Sequence, residues 1–135
     1  MLAAILNHDK IAGLIPQTTK MVTVQVPARN AELSESLKAY YDYRCQICSH
    51  SYQASHGVSV VDTHHIRYLR NGGPDVSWNM LVLCPNHHRL IHATDAKFDR
   101  KAMAYRYPNG IAEPLALIDH LLEAQSLGLM VADGN

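Results

Sequence analysis

Two pairs of metal-type donors constrain this chain more than any other feature. They are Cys45-x2-Cys48 and Cys84-x2-His87, separated by 35 residues. Two residues between ligands let both side chains of a turn face one tetrahedral ion. Together the pairs make a Cys3His set, a donor set suited to zinc. All three cysteines of the chain are then used, whereas three cannot all pair as disulfides. A reduced, cytoplasmic setting is therefore expected. The alternative is three buried thiols and an unrelated histidine. A closed four-donor site has no open position for chemistry, so its role would be structural. Its metal-linked folding energy would be roughly 10–16 kcal/mol.

The gap is long enough for a strand, a loop and a second strand. "GVSVVDTHHI" (57–66) is β-branched and reads as a strand. "RNGGPD" (70–75) has strong turn chemistry, and "NMLVLC" (79–84) reads as a second strand. Pro85 suits the first turn of a helix that carries His87, His88 and His92. Upstream, "KMVTVQVPAR" (20–29) alternates like a strand. Asn30 can cap a helix through about Tyr43, with Leu33, Leu37, Tyr40 and Tyr41 on one face. Downstream, "AMAYRYPNG" (102–110) reads as a strand into a turn. Pro114 is expected to start an amphipathic helix with Leu115, Ile118, Leu121 and Leu122 inward, ending near Gly128, before a loose tail.

At 135 residues and 47% hydrophobic content, the chain can fold as one domain. Residues 1–30 are expected to form an arm packed on a core of 31–110, with a C-terminal helix and tail over 111–135. No apolar run is long enough to span a membrane. "MLAAIL" lacks the basic region and cleavage site of a signal peptide. The net charge is zero, but residues 61–110 carry seven Lys/Arg against four acids. That local excess of +3 could guide a polyanion; ordinary surface charge is the alternative.

The stretch "VDTHHIRYLRNGGPDVSWNMLVLCPNHHRLIH" (61–92) holds five of the nine histidines. With His87 assigned to zinc, His64, His65, His88 and His92 remain, together with Asn79. His64 and His65 are neighbours at a strand end, so they point to opposite sides. His88 and His92 are i and i+4 on a helix and can reach one ion. One histidine is left over, and its ordinary pKa suits a general base at neutral pH.

Here the residues carry a family likeness. The order HHI, GG, N-M-L-V-L-C, H-H, I-H over residues 43–93 resembles the HNH endonucleases, the ββα-metal or His-Me finger nucleases. The cysteines resemble the subgroup pinned by zinc between two Cys-x2-Cys pairs, with His87 standing where a fourth cysteine is usual. The resemblance implies an α+β fold, a small ββα-metal core pinned by zinc and flanked by N- and C-terminal helices. It places His64 and His88 as ligands of a catalytic divalent ion, with His92 on the metal or the scissile phosphate. His65 stands at the general base, and Asn79 at the residue that fastens the loop and orients that base. The implied reaction is hydrolysis of DNA to 5′-phosphate and 3′-hydroxyl ends. The implied ion is magnesium or manganese, with nickel or zinc able to occupy an imidazole site.

Arg67, Arg70 and Arg89 neighbour the site in sequence and could hold the phosphate backbone, or could be solvated. Asp62 could orient an imidazole or be a surface carboxylate. Trp78 is expected as a core anchor. The competing function is a zinc-stabilised nucleic-acid-binding module without catalysis, which has no use for His65, Asn79 and His88 together. A colicin-like killing domain is a third reading. DNA is the expected partner and no membrane is involved. A homodimer would explain cutting of both strands, since one such site nicks one strand.

Overall fold

A computed structural model describes residues 3–4 and 30–129. The expected strand at 20–29 and the tail lie outside those residues. Helix α1 (Ala31–Tyr40) starts where the Asn30 side chain accepts the Leu33 N–H at 3.0 Å. That bond satisfies one of the donors a helix start leaves open. Leu37 and Tyr41 are buried and Leu33 is partly covered. Tyr40 departs from the expected face and is 61% exposed.

After the Cys45–Cys48 turn comes a one-turn helix, α2 (Gln53–His56), closed by Gly57. The centre of the molecule is an antiparallel hairpin of β1 (Asp62–His65) and β2 (Met80–Leu83). Strand β1 is shorter than the expected 57–66, because only Asp62–His65 have partners on β2. β2 reads Met-Leu-Val-Leu without a polar residue because both of its faces are covered. Leu81 and Leu83 pack with Cys45, Ile91, Phe98, Tyr105 and Leu121. Met80 and Val82 pack with Leu37, Tyr41 and Val61 under α1. Leu81, Val82 and Leu83 are fully buried, a contribution of about 1.5–3 kcal/mol for each side chain.

Helix α3 (Pro85–Thr94) follows β2 directly, with Pro85 in its first turn. A second, three-stranded antiparallel sheet then forms from β3 (Lys97–Asp99), β4 (Ala104–Arg106) and β5 (Ala112–Pro114). Pro114 therefore ends a strand, and the last helix, α4 (Asp119–Ser126), begins five residues later than expected. The intervening residues are held by Gln46, whose backbone carbonyl accepts from Ala116 and Leu117 at 2.7 and 3.2 Å. Leu115 and Leu121 point inward as expected, but Leu122 is 48% exposed. The architecture is α+β, and the β1–β2–α3 succession agrees with a small ββα core. Among the described residues, no helix is long and apolar enough to cross a membrane.

Candidate metal centres and active site

The structure brings Cys45, Cys48, Cys84 and His87 to one point, their donor atoms within 4.8 Å of one another. Cys48 Sγ and Cys84 Sγ are 3.9 Å apart, and His87 Nδ1 lies 3.2 Å from Cys84 Sγ and 3.7 Å from Cys45 Sγ. On a tetrahedral zinc, two thiolates stand about 3.8 Å apart and a thiolate and imidazole nitrogen about 3.6 Å. The four side chains fit such an ion without rearrangement. Burial pushes the Cys45 thiol up to about 12, and a bound cation is what would turn it into a thiolate ligand. The remaining nitrogen of His87 lies 3.2 Å from Glu113. Carboxylate partners of this kind orient metal-binding imidazoles.

Local chemistry explains this corner. Cys84 is also the N-cap of α3, its sulfur accepting the His87 N–H at 3.5 Å. Gln46, inside the first donor pair, is fully buried and behaves as a strand segment. Its N–H donates to Val82 at 2.8 Å and its side-chain oxygen accepts the Val82 N–H at 2.7 Å. Its amide donates to Leu117 at 2.9 Å. The donor turn is thus sewn to the free edge of β2.

A second constellation lies across α3. His64, His88 and His92 offer nitrogens within 4.8 Å of one another. His88 Nε2 and His92 Nε2 are 3.1 Å apart, and imidazole nitrogens on one ion at about 2.1 Å are separated by roughly 3.0–3.4 Å. His64 joins them because of strand register. It stands opposite Leu81, on the face of the hairpin turned to α3. His88 turns its other nitrogen to Asp62 at 3.3 Å, so this exposed carboxylate does reach an imidazole. His92 lies 3.3 Å from the Tyr68 hydroxyl and stacks on its ring. Desolvation lowers the His92 pKa, helped by His88 and Arg70, which favours the neutral, ligating form.

His65 stands opposite Met80, on the other face of the hairpin. It is buried, and its Nε2 lies 2.8 Å from Asp75 Oδ1. The loop from Arg67 to Asn79 is tied to the strand end by Asn79, which is fully buried. Its Oδ1 accepts the Arg67 N–H at 2.9 Å, and its Nδ2 donates to Arg67 and Pro74 carbonyls at 2.9 and 2.8 Å. Gly73 lies so close to the backbone that a Cβ there would be 1.9 Å from the Arg67 carbonyl oxygen.

Two grooves meet at Asp62 and His88. One, about 410 Å³, is lined by His65, Thr63, Ser34 and Lys38 among others. The other, about 490 Å³, is lined by His92, Arg89 and Pro85 among others. Arg89 is exposed at that rim. Arg70 lies over the Tyr68 ring at 4.9 Å, and Arg67 is exposed on the loop. Trp78 is half-buried rather than fully buried, and its carbonyl accepts from Arg100 at 3.3 Å. Sequence reasoning missed Lys38, Asp75 and Glu113; each is an ordinary charged residue until the fold brings Asp75 to His65, Glu113 to His87 and Lys38 to the groove that His65 lines.

No family model and no curated protein matches the chain. Among solved structures it is similar to the "Modification dependent TagI restriction endonuclease", with a TM-score of 0.53 and 27% identity. That match covers 78% of this chain and 40% of the other. It is also similar to the "Type IV phosphorothioation-dependent restriction endonuclease ScoMcrA", at 30% identity and a TM-score of 0.40. That second match covers 47% of this chain and 13% of the other. The chain spans less than half the length of either, and both of these structural neighbours are restriction endonucleases.

Proposed function

We propose that the chain is a metal-dependent DNA endonuclease of the HNH type. The observation that carries this reading is the division of labour at one hairpin end. Three imidazoles converge on a single point, while the histidine next in sequence turns away into a groove shared with one of them. A structural site would have closed its fourth position; this one opens on two grooves. The likeness to a modification-dependent restriction endonuclease supports the same reaction class.

A divalent ion held by His64, His88 and His92 would supply positive charge to the scissile phosphate and the leaving oxygen. His65 takes a proton from a water molecule. The resulting hydroxide oxygen bonds to phosphorus, the bond from phosphorus to the 3′ oxygen breaks, and solvent protonates that oxygen. The products carry a 5′ phosphate and a 3′ hydroxyl. Asn79 holds the loop that carries the partner of His65. Arg67, Arg70, Arg89 and Lys38 supply positive charge around the grooves for the flanking phosphates. An all-imidazole donor set binds nickel or zinc more tightly than magnesium or manganese. Cys45, Cys48, Cys84 and His87 would hold a structural zinc, which would pin the fold. One such site cuts one strand, so a double-strand break takes two copies.

The test is nicking of supercoiled plasmid by the zinc-loaded protein in Mg²⁺, Mn²⁺, Ni²⁺ or EDTA, beside His65→Ala. Metal-dependent nicking that the variant loses supports the reading. Tight DNA binding without cleavage in any metal overturns it in favour of a zinc-stabilised binding module.

A further inference from the structure

The loop between the two strands of the hairpin carries a charged partner for the proposed base. Asp75 follows Pro74, whose carbonyl is held by Asn79, and Gly73, which has no room for a side chain. The backbone leading into Asp75 is therefore tied to the end of β1. Both carboxylate oxygens are engaged. Oδ1 lies 2.8 Å from His65 Nε2, and Oδ2 accepts the Asn30 N–H at 2.6 Å. Asn30 caps α1, and a helix start stabilises an anion. With two anchors the carboxylate cannot rotate away from the imidazole. The pair is sheltered, at 5% side-chain exposure for His65 and 24% for Asp75.

An ionised carboxylate only accepts hydrogen bonds, so His65 Nε2 must carry the proton. In the neutral imidazole, the form a general base needs, the lone pair then sits on Nδ1. We propose that Asp75 is a positioning residue that locks His65 in the Nε2–H tautomer, making Nδ1 the atom that accepts the proton of the attacking water. The catalytic half of this statement rests on the nuclease reading; the tautomer half does not. Asp75 itself touches no substrate. It acts through His65, as the carboxylate of a serine-protease triad acts through its histidine.

The test uses the full zinc-loaded chain. Nitrogen-15 histidine spectra of the parent should show His65 protonated on Nε2, and Asp75→Asn should release it to a mixture or to the Nδ1–H form. An amide can donate where the carboxylate could only accept, and it is close enough in shape to keep the loop folded. A parent His65 protonated on Nδ1, or no change in Asp75→Asn, overturns the proposal. In plasmid or oligonucleotide cleavage, Asp75→Asn should lower kcat about 10²–10⁴-fold with little change in KM. Added to His65→Ala, it should cost nothing further. Losses that multiply would mean that Asp75 acts independently of His65, which overturns the proposal. If the parent cuts nothing but the spectra behave as expected, the nuclease reading fails and the tautomer lock stands.

Discussion

The two clusters on helix α3 begin one residue apart and are built to opposite ends. His87 joins three cysteines and closes a four-donor corner with Cys45 fully buried. His88, about 100° further round the helix, joins His64 and His92 in a three-donor corner opening on two grooves. The first ties the segment around residue 46 to the strand–helix junction. The second ties little, because the hairpin already holds His64 and the helix already holds His88 and His92. The closed corner should therefore govern whether the chain folds, and the open one what it does once folded.

The largest expected effect breaks that comparison from the closed side. Cys45→Ser, or stripping zinc with a strong chelator, removes much of the roughly 10–16 kcal/mol available from a structural zinc. Circular dichroism should show unfolding, and the three-histidine corner should lose its metal too. The reverse experiment should be asymmetric. His88→Ala should abolish nickel or manganese binding at the open corner and end nicking, while zinc content stays at one per chain. Beside that corner, on the other face of the hairpin, His65→Ala should cost about 10²–10⁴ in rate with metal binding and melting temperature near the parent's. An unfolded His65→Ala protein would remove His65 as a base.

A smaller effect sharpens the comparison by disturbing the loop and neither corner. Gly73→Ala pushes a methyl into the Arg67 carbonyl, with an expected loss of about 1–3 kcal/mol by urea denaturation. Activity should fall by more than stability alone explains, because the loop carries the partner of His65.

The smallest effect concerns His120, far from both donor sets in sequence. Its Nε2–H lies 3.0 and 2.9 Å from the Ser77 and Met80 carbonyls, and its Nδ1 accepts from the Tyr41 hydroxyl. Burial lowers its pKa below the ordinary histidine value, outweighing the carbonyls and Asp119, which favour the charged form. The unfolded chain then binds a proton that the folded one refuses. Stability from this group is present above about pH 6.5 and declines as pH falls below it. The urea midpoint of His120→Phe should fall less steeply from pH 7.5 to 5.5 than that of the parent. Equal slopes would remove His120 as the source.

How much of this was legible depended on the distance over which each feature is set. The donor pairs, the Asn30 cap, the Pro85 helix start and the short apolar β2 are local matters of spacing and propensity, and they stand where the residues suggested. The start of the last helix was misplaced because Pro114 suits a helix opening in isolation, while here β4 recruits Ala112–Pro114 as a strand. Leu122 and Tyr40 match an apolar periodicity but face solvent, because α4 and α1 bury narrower stripes than the residues offer.

Residue type and spacing alone determined which donors the chain possesses and which of them could share an ion. They also marked His64 and His65 as pointing apart, since neighbours on a strand always do. Only the tertiary structure decided which histidine went to which side. The pairing of His64 with Leu81 and of His65 with Met80 depends on the register between two strands. Only the fold, too, gave His65 its carboxylate, Gln46 its place on the edge of β2 and His120 its three partners. Those contacts join residues 10 to 79 positions apart. Local propensity has no reach over that span, and a side chain's partner there is settled by how the core packs.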